Sequence, residues 1–271
     1  MPDSDFWVSI LTFAETTTHR VGAKLLQDFG QAHATEKRDG TLVTDSDQWA
    51  DEELRHSIQA AFPGHGVLSE EVEHIFPDTD WCWIIDPIDG TTNFARGIPI
   101  WAISLGLLYR GTPVFGYVQV PPLGQAFHGF WAGASGLALP TGAFLNGRPI
   151  FTSPAPPSSN QFFNLCARST KVLQNPVPCK IRMLGVATYN LLTVAMGAAL
   201  GGVEATPKIW DIAAVWTIVQ AAGGVWQPLE SDAIFPLQPG TDYGSRSFPT
   251  LVVSRSEWLD TFLPLVEFLQ R

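Results

Sequence analysis

The residues with the most chemical potential lie in one short run, Trp83-Ile84-Ile85-Asp86-Pro87-Ile88-Asp89-Gly90-Thr91-Thr92-Asn93-Phe94. The apolar stretch from Trp81 to Ile85 reads as a buried strand that breaks at Pro87, after which a turn at Gly90 opens into a short helix. Asp86 and Asp89 then face a common point, and the Ile88 carbonyl adds a neutral oxygen. Free backbone N–H groups near Gly90 and Thr91 suit phosphate oxygens, as helix entrances do. A cation site and an anion site are therefore expected side by side. Taken alone, an Asp-Gly pair after a strand is equally an ordinary turn.

Other carboxylates stand where elements begin or end. Val67-Leu68 is a short apolar run leading into Glu70-Glu71, which could also be a solvated acidic pair. Asp47 falls at or near the N-cap of a helix running to about Ala61 and closed by Phe62-Pro63-Gly64, so capping alone would account for it. Asp211 follows Trp210 at the start of an apolar helix, Ile212 to Ala222, and has the same alternative. Glu204 is either a substrate contact or a solvated loop acid, and Gly185-Val186-Ala187 either faces the substrate or simply starts a helix.

The positioning elements follow from apolar periodicity. Phe6, Ile10, Phe13, Ala14, Val21 and Leu25 predict a long opening helix ending at Gly30. Trp101 to Tyr109, Pro113 to Val120, Gln125 to Trp131 and a short piece near Leu137, separated by turn residues, predict an antiparallel meander. The Pro- and Ser-rich segment 152–159 predicts a boundary between an N-terminal lobe, 1–151, and a C-terminal lobe, 160–271. In the latter, strands at Phe162 to Cys166, Ile181 to Leu184 and Leu251 to Val253 alternate with helices at Ala187 to Leu200, Ile212 to Ala222 and about Glu257 to Leu269.

Bulk properties narrow the function. The chain has 271 residues, 45% of them hydrophobic, enough for a sizeable core. A formal net charge of -10 argues against a nucleic-acid surface, which needs clustered Lys and Arg. The apolar stretches Ile98 to Tyr109 and Tyr189 to Val203 fall short of the roughly 20 residues that span a bilayer. Cys82, Cys166 and Cys179 lack metal-site or disulfide spacing, and no basic segment leads into an apolar core after Asp3 and Asp5. A cytoplasmic protein without a membrane segment is expected.

The Asp86 to Phe94 segment resembles the Asp-Pro-Ile-Asp-Gly-Thr-Thr-Asn-Phe signature of the inositol monophosphatase family. Three more blocks appear in order: Leu42-Val43-Thr44 leading to Asp47; Leu68-Ser69-Glu70-Glu71; and Trp210-Asp211-Ile212-Ala213-Ala214 followed by Ala221-Ala222-Gly223-Gly224. Together they span about Lys37 to Gly224, most of the chain. The resemblance implies an α+β fold of layered helices and sheets, similar to the sugar phosphatase fold, with the active site between two lobes. It implies Glu70, Asp86 and the Ile88 carbonyl as ligands of one metal, and Asp86, Asp89 and Asp211 around a second. By the same resemblance, Asp47, Thr91 and Glu70 serve the attacking water. Gly90 and Thr91 hold the phosphate, and Asp89, Gly185, Val186, Ala187 and Glu204 meet the substrate.

Oxygen-only ligands fit Mg²⁺, with Mn²⁺ as a substitute, and disfavour zinc. Carboxylates about 4 to 6 Å apart repel by a few kcal/mol per pair at an effective dielectric of about 20, so cations are what make such a cluster tolerable. Metals there would activate water, neutralise phosphoryl oxygens and stabilise the leaving alkoxide without a covalent enzyme intermediate. The expected activity is hydrolysis of a small phosphorylated metabolite, inositol monophosphate first, with fructose bisphosphate, histidinol phosphate and sugar phosphates as alternatives. A homodimer and inhibition by Li⁺ follow from the resemblance. Ser69, Asp45 and the segments around Glu204 and Asn164 to Ser169 depart from the family pattern, which touches substrate choice more than the metal site. Thr-Asn-Phe in place of Lys-Glu-Phe argues against nucleotide bisphosphates. A binding protein on the same fold is the rival from another class, although Asp47, Glu70, Asp86, Asp89, Thr91 and Asp211 are all present.

Overall fold

Apolar residues alternate along the central strands, and each face meets a different helical layer. In this computed structural model, which describes residues 2–31, 34–36, 42–171, 176–230 and 233–266, the N-terminal elements are α1 (Ser4–Asp28), β1 (Ala34–Glu36), β2 (Leu42–Thr44), α2 (Asp45–Ala61), β3 (Gly66–Ser69), β4 (Trp81–Asp89) and α3 (Thr91–Ala95). The strands β5 (Ala102–Tyr109), β6 (Thr112–Val120), β7 (Gln125–Phe130), β8 (Gly142–Leu145) and β9 (Arg148–Pro149) follow. After a stretch without helix or strand come β10 (Phe162–Leu165), β11 (Lys180–Arg182), α4 (Ala187–Ala195), β12 (Gly201–Glu204), α5 (Ile209–Ala221), β13 (Val225–Pro228), β14 (Thr250–Val253) and α6 (Leu259–Val266).

β3 to β9 form a seven-stranded sheet in chain order, and a five-stranded sheet runs β11-β10-β12-β14-β13. β3 pairs with β4 in parallel, and the pairs from β4 through β9 are antiparallel. In β4, Trp83 and Ile85 pack with Ile10, Val21, Leu54 and Ile58 of α1 and α2, whereas Ile84 packs with Leu191, Ile212 and Val215 of α4 and α5. In β14, Val252 joins that same α4 and α5 cluster, while Leu251 and Val253 pack with Phe262 and Val266 of α6. Period-two alternation thus builds helix, sheet, helix, sheet and helix layers from single strands.

A glycine stripe seats α5. Gly106, Gly116 and Gly129 lie directly opposite one another on β5, β6 and β7. A Cβ on Gly116 would lie 2.1 Å from the Ala214 carbonyl oxygen, and one on Gly106 would lie 2.9 Å from the Ala214 nitrogen. One on Gly129 would lie 2.9 Å from the Ile218 Cα. Only bare backbone admits the helix this close, and its position fixes where Asp211 stands.

Several sequence expectations need correction. β4 does not break at Pro87 but runs on to Asp89, with a register irregularity between Asp86 and Asp89 that turns both carboxylates. Asp47 lies near the N-cap, as expected, rather than at it: Thr44 holds that place and Asp47 closes a capping box from the third helical position. Leu137 lies in no strand, and the sheet is completed later by β8 and β9. The helix from Ala187 stops at Ala195, because Gly197 adopts φ +76° and the chain then enters β12. β13 was not anticipated. The closing helix starts at Leu259 after a 3-10 turn over Ser256–Trp258; its expected end at 267–269, like Lys37 of the first block, lies outside the described residues.

Candidate active site

The end of β4 and the start of α5 bring three acids together: carboxylate oxygens of Asp86, Asp89 and Asp211 all lie within 4.8 Å of one another. Asp86 Oδ1 accepts from the Ile88 N–H at 3.1 Å, and its Oδ2 is buried with no hydrogen-bond partner. Asp211 accepts from the Lys208 N–H at 2.6 Å, so it satisfies an orphan donor of α5 while facing the other acids. The capping and cluster roles coexist. Glu70 follows β3, and its own N–H donates to the Ile85 carbonyl at 3.3 Å, next to Asp86 in sequence.

Burial and like charge act in the same direction here. The Asp86 carboxyl is pushed well above the usual range by burial and then by Glu70, Asp89 and Asp211. Asp211 is raised by burial and then by Asp89, with Glu70 adding a smaller push. Asp89 is raised by burial, against hydrogen bonds from Thr188 and Ala187 that favour its charged form. An orphaned buried oxygen among carboxylates is costly unless a cation is bound, and these donors are all oxygen. The residues fit a hard divalent cation such as Mg²⁺ and not zinc.

Around the cluster, Thr91 Oγ1 lies 3.1 Å from Asp47 Oδ1 and 3.1 Å from the Ile88 carbonyl oxygen. Asp47 is also bonded by the Thr44 N–H at 2.7 Å. Burial carries its carboxyl up to about 6 despite those bonds. Gly90 adopts φ +93°, and a Cβ there would meet Val186 Cγ2 at 2.6 Å. Gly185 to Ala187 both start α4 and line the cavity. The Thr188 N–H donates to Asp89 Oδ2 at 2.7 Å, so Asp89 serves the helix terminus from a distant strand.

Glu204, at the end of β12, is buried rather than solvated, and Asn190 Nδ2 donates to its Oε1 at 2.6 Å. Burial raises its carboxyl to about 7 against that bond. The cavity holds about 400 Å³, within the usual span for small-molecule sites, and the expected site residues line it except Asp47, which stands behind Thr91.

Sequence reasoning overlooked the braces. Asn93 Nδ2 donates to the Ile100 and Leu184 carbonyls, both at 2.9 Å, tying α3 to the segment before β5 and to the Gly185 turn. Its place inside the Asp86 to Phe94 run was the available signal. His74, assigned no metal, has Nε2 2.8 Å from the Glu70 carbonyl oxygen and stacks on Trp210 beside Asp211. Asn190 and Thr188 carried no sequence signal, since their neighbours are distant in the chain.

The family model described as "Inositol monophosphatase family" matches residues 7–258. The chain belongs to the inositol monophosphatase family. It is 32% identical over 237 residues to the inositol-1-monophosphatase of Synechocystis sp., covering 82% of this chain and 79% of that one. It is also 32% identical over 227 residues to the fructose-1,6-bisphosphatase/inositol-1-monophosphatase of Thermotoga maritima, covering 79% and 83%. The solved Thermotoga maritima IMPase superposes with a TM-score of 0.79 at 27% identity, covering 96% of this chain and 97% of that one. As an inositol monophosphatase family member, the chain is a phosphoric monoester hydrolase with the layered α+β fold of those structures.

Proposed function

We propose that the chain hydrolyses the phosphate monoester of a small polyol or sugar with Mg²⁺ as its ion. The observation that carries this is the convergence of Asp86, Asp89 and Asp211 within 4.8 Å, with one Asp86 oxygen left without a partner. Glu70, Asp86, the Ile88 carbonyl, Asp89 and Asp211 would hold the cations. Bound there, these supply an activated water, neutralise the phosphoryl oxygens and stabilise the departing alkoxide.

The chain's own groups set the geometry. Thr91 Oγ1 gives its proton to Asp47 or to the Ile88 carbonyl, which leaves its lone pairs to accept from the attacking water. Asp47, raised to about 6, is charged at neutral pH and suited to take up that proton through Thr91. Backbone N–H groups at Gly90 and Thr91 receive the phosphate. Glu204 and Asn190, joined at 2.6 Å, present polar atoms to the hydroxyls of the leaving group. Asp89 orients both the cluster and the Gly185 to Ala187 wall through Thr188.

Inositol monophosphate is the first substrate of this reading, in keeping with the name of the Synechocystis relative; fructose bisphosphate, histidinol phosphate and sugar phosphates follow. Mn²⁺ would replace Mg²⁺ and Li⁺ would inhibit. The lobes 1–151 and 160–271, a homodimeric state and a cytoplasmic location belong to the same proposal. The test is phosphate release from inositol, sugar, histidinol and nucleotide phosphates with and without Mg²⁺. Magnesium-dependent release from polyol or sugar esters is the expected result. No release from any ester would turn the reading toward a binding protein on this fold.

A further inference from the structure

His74 ties an acid of one element to the helix that carries another. Glu70 leaves β3 with both backbone groups engaged: its N–H donates to the Ile85 carbonyl at 3.3 Å, and its carbonyl oxygen lies 2.8 Å from His74 Nε2. A carbonyl oxygen only accepts, so Nε2 carries a proton and donates it. The ring stacks on Trp210, with centroids 5.4 Å apart and planes at 26°, one residue before Asp211. His74 itself stands outside the cavity that Glu70 and Asp211 line. The segment before β14 holds the ring from the other side. The Tyr243 N–H donates to the His74 carbonyl at 2.9 Å, and Ile75 forms a bridge with Asp242. A Cβ on Gly244 would lie 2.6 Å from His74 Nδ1, so bare backbone abuts the ring. Lys208, the N-cap of α5, closes the circuit: its Nζ donates to the Gly244 and Ser245 carbonyls at 3.2 and 3.1 Å, and its N–H to Asp211 at 2.6 Å.

We propose that His74 is a positioning residue for the cation site: by fixing the Glu70 backbone against the start of α5, it holds the Glu70 carboxylate ready for Mg²⁺. This rests on the metal-dependent reading above and adds a residue to it. A ring that served packing alone would need no donor, and a phenyl group would stack on Trp210 as well. The donor instead meets the carbonyl of an acid that lines the cavity. Glu70 follows the end of β3, and a loop acid left free would have to be ordered when the cation binds. Holding it beforehand raises affinity, as partners behind a ligand do in metal sites generally.

The test is calorimetric binding of Mg²⁺ to the substrate-free protein. His74→Phe keeps a stacking ring and removes the donor, and its Kd for Mg²⁺ is expected to rise about tenfold. His74→Gln, which returns an amide N–H toward the same carbonyl, should recover most of that loss. In a Glu70→Gln background His74→Phe should weaken binding no further, because its effect passes through Glu70. Unchanged Mg²⁺ affinity in His74→Phe, even with a lower melting temperature, would reduce His74 to packing and overturn the inference, as would an equal loss in the Glu70→Gln background. Should His74→Phe fail to fold, Gly244→Ala decides: its methyl group crowds the ring while leaving His74 and Glu70 in the chain. Weaker Mg²⁺ binding there supports the inference, and native affinity refutes it. A native protein that binds no Mg²⁺ would overturn the metal reading itself and this inference with it, whereas native binding matched by the variants overturns the inference alone.

Discussion

Asp86 is enclosed, faces two other carboxylates and leaves one oxygen without a donor. Such a residue destabilises the metal-free protein and becomes useful once a cation is bound. Asp86→Asn is therefore expected to raise the metal-free melting temperature at pH 8 by about 2–4 °C while cutting phosphate release at least ~10³-fold; calorimetry showing a lower melting temperature would contradict this. Asp47 gives a pH signature. Its carboxyl titrates at about 6 in the folded chain against an ordinary 3.8, so the folded state holds the extra proton between those values. Its contribution to stability is present below about 3.8 and is lost as pH rises through about 6. His65 and His128, lowered to about 4 by burial, act in the opposite sense, so the comparison must be made against Asp47→Asn. Denaturant titrations should show the native protein losing stability relative to that variant between pH 4 and 6, with no further loss above about 6.5. If Asp47 takes up the proton as proposed, phosphate release should fall as pH drops through about 6. Asp86 and Asp89 were legible as a pair because two acids flank a proline at the end of an apolar run. Asn190 and Glu204 were not, because their contact exists only once α4 lies along β12.

At the scale of elements, the site depends on where α4 and α5 rest. Gly116→Ala puts a methyl group 2.1 Å from the Ala214 carbonyl, so α5 must lift and carry Asp211 with it. A loss of about 1–3 kcal/mol in denaturant titration is expected, together with weaker Mg²⁺ binding by calorimetry. Unchanged stability would mean that α5 is not seated by the glycine stripe. Asn93→Ala removes two hydrogen bonds, one to the Ile100 carbonyl before β5 and one that ties α3 to the Gly185 turn at Leu184. Its expected effect in steady-state kinetics is a KM rise several-fold larger than the fall in kcat, since the substrate wall loosens while the acids stay. The helices were readable from apolar spacing, and glycines were read as turn markers. Three of them instead mark a close approach of backbone to helix, which no single strand reveals. β12 was hidden because Gly201, Gly202 and Val203 carry on the uncharged run from α4 up to Glu204, and the change of direction at Gly197 is a conformational signal.

At the scale of the molecule, two sheets enclose the α4 and α5 layer and are covered outside by α1 with α2 and by α6. The alternation that makes this possible is visible along Trp83, Ile84 and Ile85, but which strands pair, and in what direction, is set by partners far apart in sequence. The layers deliver acids from β3, β4 and α5 to one cavity in a chain of net charge -10, where further negative charge is unfavourable without cations. The most direct test of this arrangement is phosphate release from inositol monophosphate and fructose 1,6-bisphosphate across a Mg²⁺ titration, for the native protein and Asp89→Asn. Release that saturates with Mg²⁺, vanishes on chelation and is lost in Asp89→Asn is expected. Release that persists without divalent cations, or survives in Asp89→Asn, would contradict the assignment of the acid cluster as the catalytic metal site.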